Sequence, residues 1–146
     1  MIVMLTIFDN AFSQRAKRKN VIDNINKFNL VHFSRPVSKD SIKLTTFLEI
    51  PFNSLQFVKR NNKFFSGYEA QIVVMTKKGK MIHKNTWSDS IHTQSYIETI
   101  RKTETVTLFT EKIIPVSKYV VLATVFDNNS REFYKISQDL ELETSH

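Results

Sequence analysis

The strongest constraint on this chain lies in two stretches that alternate with a period of two. In "YEAQIVVM", Tyr68, Ala70, Ile72 and Val74 fall on one face and Glu69, Gln71, Val73 and Met75 on the other. That is the repeat of a pleated strand; a helix would bring apolar residues back at longer, three-and-four spacing. "KYVVLATVFD" alternates in the same way, with Tyr119, Val121, Ala123 and Val125 set against Val120, Leu122, Thr124 and Phe126. Both of its faces are largely apolar, which predicts a central strand. Between these stretches "KKGK" supplies a glycine for a hairpin turn from the first of them into Met81 to Trp87.

The remaining segments follow the same logic. Ile42, Leu44, Leu48 and Ile50 occupy even positions, so a strand is expected from about Ser41 to Ile50. Pro51 lacks a backbone N–H and interrupts pairing, and a second strand piece is expected from Ser54 to Arg60, with Leu55 and Phe57 entering the core on the restarted register. An earlier strand should run from Phe28 to Phe33 and end at Pro36, and the asparagines of Asn61 to Lys63 favour a turn. From Ser88 to Glu104 the pattern is mixed: "IETIRK" alone suits a helical turn, whereas the surrounding threonines favour extended chain. "DNNS", Asp127 to Ser130, reads as a turn and "REFYKISQDLEL" as a returning strand. Short strands at regular spacing with little helical periodicity predict an all-β fold, an immunoglobulin-like antiparallel β-sandwich of about seven to eight strands.

At 146 residues the chain is long enough for one domain with its own core. The expected division is 1–13 as a signal-peptide remnant, 14–27 as a basic lead and 28–142 as the sandwich. "MIVMLTIF" is far too short to span a bilayer as a helix, and small residues at Ala11 and Ser13 fit a cleavage site. The competing reading of the same stretch is a buried first strand. Zero cysteines exclude a thiol nucleophile and cysteine-ligated metal. A net charge of +7 raises the question of nucleic acid, yet the lysines are scattered and only "RAKRK", Arg15 to Lys19, is dense. Solubility and edge protection account for such scattering, so nucleic acid is not an expected partner.

His32, His83, His92 and His146 show no metal-ligand spacing, "DNNS" lacks the further ligands of a calcium loop, and there is no G-x-S-x-G elbow. Neither cofactor nor catalysis is expected. The aromatic residues Phe52, Phe57, Phe64, Phe65, Tyr68, Trp87 and Tyr96 suit core packing first and a stacking surface second. Trp87, Phe57 and Tyr96, with the basic Arg15, Lys17 and Arg18, are the candidate surface-binding residues.

"FLEIPFNSLQFVK", "YEAQIVVMTKKGKMI", Trp87, "SYIET" and "KYVVLATVFDNNS", in that order, resemble the N-terminal β-sandwich region of GWxTD-domain proteins, found mostly in Bacteroidetes and related bacteria. The resemblance covers about Val31 to Glu132. The naming motif is absent, since Thr86 precedes Trp87, and Ser117 stands where a glycine usually comes two residues before the tyrosine of the last strong strand. The resemblance implies a sandwich fold and export to the periplasm or cell envelope. The expected function is therefore a non-catalytic interaction module with a protein or envelope-surface partner. A carbohydrate- or nucleic-acid-binding domain, or an accessory domain of an enzyme, is the alternative.

Overall fold

Alternation decides which face each strand buries, and the computed structural model, which describes residues 28–143, follows it closely. Tyr68, Ala70, Ile72 and Val74 are buried, as are Tyr119, Val121, Ala123 and Val125, while Ile42, Leu44, Leu48 and Ile50 face them from the opposite layer. Eight strands carry these residues: β1 (Asn29–Pro36), β2 (Ser41–Pro51), β3 (Val58–Arg60), β4 (Lys63–Thr76), β5 (Met81–Thr93), β6 (Thr105–Pro115), β7 (Lys118–Asp127) and β8 (Phe133–Glu141). β1, β2 and β6 form one sheet in that order; β5, β4, β7 and β8 form the other, with β3 paired to the start of β4. Every pairing is antiparallel. This is the immunoglobulin-like sandwich, with the chain passing between sheets after β2, β5 and β6.

Four local expectations change. The strand expected from Ser54 to Arg60 shortens to β3, and Phe52–Ser54 forms a 3-10 turn instead. Pro51 (φ −64°) ends the β2–β6 ladder opposite Thr105, and the Ser54 hydroxyl donates to the Pro51 carbonyl at 2.6 Å as the chain changes sheets. Leu55 does become buried and Phe57 packs half-buried against the core, as the proline jog requires. β1 continues past Phe33 because each residue to Pro36 keeps a partner on β2. β5 likewise runs beyond Trp87 to Thr93, which pairs with Phe64. Finally, Tyr96–Ile100 is a short helix, α1, where the surrounding threonines favour extended chain. Five residues form no stable helix alone, and here buried Thr99 donates to the Tyr96 carbonyl at 2.6 Å while α1 packs on the 3-10 turn.

Three polar features lock the sandwich. Tyr119, buried at the start of β7, donates its hydroxyl to the Pro115 carbonyl at 2.5 Å across the β6–β7 corner. Such a tyrosine corner marks the immunoglobulin-like fold. Asp127, fully buried at the end of β7, accepts from the Gln56 N–H (2.7 Å) and the Asn129 N–H (2.9 Å). "DNNS" is thus a turn held by its aspartate. Across the interior, His32 of β1 meets Gln138 of β8 (2.8 Å) and Thr46 of β2 (3.1 Å), while His83 of β5 meets Thr110 of β6 (2.5 Å). Thr46 and Thr110 are register partners, so one polar row crosses the core from flank to flank.

Candidate functional site

With even-numbered residues of β2 turned inward, its odd-numbered residues face solvent. Phe47 then stands opposite Val31 on β1 and Phe109 on β6, and Phe33 lies diagonal to it, opposite Thr45. The Phe33 and Phe47 rings meet edge to face at 5.7 Å and the Phe47 and Phe109 rings at 5.7 Å in a tilted pair. Phe33 is 60% exposed and Phe109 55%. An aromatic row therefore crosses all three strands of the smaller sheet on its outer face. Beside it the Lys43 ammonium pairs with Glu111 at 3.0 Å, and the Thr45 hydroxyl donates to the same carboxylate at 3.1 Å. Those hydrogen bonds hold the Glu111 carboxyl below its usual range, the lysine first. A shallow depression of about 370 Å³ lined by Lys43, Glu111, Lys112 and Ile113 adjoins the row.

The two poles of the sandwich differ. At the upper pole, Lys77, Lys78, Lys80 and Lys118 rim an open depression of about 770 Å³ floored by Val116 and Leu142. Lys77 is paired with Asp139 at 2.7 Å and Lys118 approaches Glu141 at 3.9 Å. Gly79 (φ +90°) permits the β4–β5 turn that projects these lysines. At the lower pole, Asn61 (φ 49°) and Asn62 (φ 62°) form the two-residue turn between β3 and β4, and Arg60 and Lys63 close it. α1 lies at the same pole, exposing Tyr96 (61%), Ile97 (56%) and Ile100 (53%). The Tyr96 ring leans on Phe64 at 5.8 Å, and Lys59 stands opposite Phe64 in the β3–β4 register.

The residues expected at the surface differ in exposure. Trp87 and Phe57 pack against the core, Phe57 also touching Phe52 with ring centroids 5.6 Å apart; Tyr96 is exposed; Arg15, Lys17 and Arg18 lie outside the described residues, as do the expected signal remnant and basic lead. Tyr68 is core, while Phe65 stacks with His92 at 5.6 Å and also meets the Arg60 guanidinium, 5.0 Å from its ring centroid. Sequence reasoning missed Phe33, Phe47 and Phe109. For Phe47 the signal is its odd-numbered position on a strand whose even positions are mostly apolar; β1 and β6 carry His32, Ser34, Thr110 and Lys112 at even positions and give no such signal for Phe33 and Phe109. Among the described residues no group of three His, Asp or Glu side chains is placed to hold a metal ion. None of the described helices is long and apolar enough to cross a membrane.

These features define the chain as an immunoglobulin-like β-sandwich domain. No family model matches the sequence, and no curated protein matches it. Among solved structures, it is similar to part of a Bacteroides fragilis protein assigned as a β-galactosidase (TM-score 0.54, 13% identity, covering 77% of this chain and 16% of that one). It is also similar to part of a Bacteroides uniformis β-glucuronidase (TM-score 0.51, 12% identity, 77% and 13%) and of a calcium-binding mutant of Bacteroides uniformis β-glucuronidase 2 (TM-score 0.51, 11% identity, 77% and 13%). The chain thus spans 13–16% of the length of these proteins, and the likeness is one of fold.

Proposed function

We propose that this chain is a non-catalytic β-sandwich interaction module of an exported bacterial envelope protein, engaging a protein or envelope-surface partner through its outer strand faces and loops. The observation that carries the reading is the row Phe33, Phe47 and Phe109. Single exposed apolar residues are ordinary on a protein surface, whereas rings in mutual contact form a patch that gains by being covered. Aromatic side chains are also the usual anchors of interfaces, because they bury large area with little loss of rotamer freedom. Resemblance to the GWxTD-associated sandwich supports export and a place in the periplasm or envelope.

A photo-crosslinking amino acid placed at position 109, and separately at Lys84 on the outer side of β5, tests this in bacteria expressing the natural gene. A discrete adduct from position 109 alone, recovered in the envelope fraction, is expected. Equal labelling at both positions, or a protein confined to the cytoplasmic fraction, would sink the reading.

The likeness to portions of glycosidase chains favours a second reading, an accessory domain of a larger carbohydrate-active enzyme. Retention on a neutral polysaccharide that resists salt and disappears in Phe33→Ser with Phe109→Ser would select it, since ring stacking on sugars is insensitive to screening.

A further inference from the structure

We propose that the lower pole of the sandwich is a docking surface for an anionic lipid bilayer. The inference rests on the envelope-surface reading above and names the surface that this pole would meet. Three apolar side chains project from α1 at consecutive or near-consecutive positions: Tyr96, Ile97 and Ile100, each more than half exposed. Cations lie next to them in sequence and in strand register. Arg101 and Lys102 follow α1 directly, and Lys59, Arg60 and Lys63 come from the β3–β4 hairpin, brought close because Tyr96 rests on Phe64 and Lys59 is the register partner of Phe64. Of these five, only Arg101 meets an acid among the described residues, Glu104 at a loose 4.0 Å.

The chemistry of the arrangement matches a lipid surface. Apolar tips enter the boundary between headgroups and acyl chains, tyrosine suits that boundary because its ring is apolar and its hydroxyl polar, and lysine and arginine attract acidic headgroups. Glu98 of α1 and Glu104 just after it are acids of the same segment, so the five cations stand against these two carboxylates and outnumber them. At the upper pole, by contrast, Asp139 and Glu141 offset Lys77 and Lys118, and the apolar residues Val116 and Leu142 form a floor and not a projection. β1 also begins at the lower pole, where Phe28 packs on Tyr134 with ring centroids 4.9 Å apart.

The test is co-sedimentation of the full 146-residue chain with vesicles of pure phosphatidylcholine and with vesicles containing a third phosphatidylglycerol. Expected is binding to the acidic vesicles only, weakened by 0.5 M salt. Ile97→Ser with Ile100→Ser should reduce the partition coefficient by about tenfold or more. Lys59→Ala with Lys63→Ala should reduce it by roughly fivefold per charge. Lys78→Ala with Lys80→Ala removes the same net charge from the other pole and should change it less than about twofold.

Equal losses from the two lysine pairs would overturn the proposal, because attraction would then follow net charge alone. Loss on Phe33→Ser with Phe109→Ser would overturn it too, moving the contact to the sheet face. So would full binding in the isoleucine variant, or no binding to acidic vesicles at all. Circular dichroism of each variant separates loss of docking from loss of fold. Failure with vesicles leaves the crosslinking result at position 109 standing, whereas a cytoplasmic protein without that adduct defeats the functional reading whatever the vesicles show.

Discussion

Asp127 shows how much one buried side chain does in this fold. Its two carboxylate oxygens accept from the N–H groups of Gln56, Asn129 and, at 3.3 Å, Ser130, joining the segment after the 3-10 turn to the β7–β8 turn. Asp127→Ala leaves those donors without their acceptor inside the fold and should lower stability by about 2–4 kcal/mol. Urea unfolding followed by fluorescence of Trp87, the single tryptophan, measures this. Ser66 is the converse case: its hydroxyl is buried with no hydrogen-bond partner among the described residues. Ser66→Ala should therefore be neutral or stabilising, by up to about 1 kcal/mol in the same assay. A clear loss of stability in that variant would mean that the hydroxyl is satisfied in solution.

At the scale of elements, the β6–β7 corner depends on one phenol. Tyr119→Phe keeps the buried ring but leaves the Pro115 carbonyl without its donor, so it should cost about 1–2 kcal/mol in urea unfolding while leaving the far-ultraviolet spectrum unchanged. The strands themselves were largely legible, because alternation at Ile42 to Ile50, Tyr68 to Val74 and Tyr119 to Val125 directly states which side chains are buried. α1 was not. Its threonine and isoleucine content favours extended chain, and its helical turn packs on Phe52–Ser54, a contact between two connections distant in sequence that has no local signature. The aromatic row was hidden for a related reason: Phe47 and Phe109 meet only through the β2–β6 register, which periodicity on either strand alone does not give.

For the whole molecule, the two part-buried histidines set a pH dependence. Burial pushes both imidazoles below their usual value; the Gln138 hydrogen bond partly opposes this at His32, and the Lys112 charge adds to it at His83. The unfolded chain, with histidine near 6.5, then binds more protons than the folded one just below that pH. This contribution to stability is complete above about 6.5 and falls as the solution is acidified toward the lower folded values. The urea midpoint should thus drop between pH 7.5 and 5.5, and His32→Gln with His83→Gln should flatten that slope. An unchanged slope in the double variant would assign the pH dependence to the carboxylates.

The polar row through the core has a mechanical consequence as well. Apolar contacts between two sheets are non-directional, so interdigitation of side chains is what they offer against sliding. Here directional bonds tie the layers at both flanks, β1 to β8 through His32 and Gln138, and β5 to β6 through His83 and Thr110. They act as crossbars. A tangential load on one sheet must break or rotate these bonds before the layers can shear, so they add a directional brace to the resistance that packing gives.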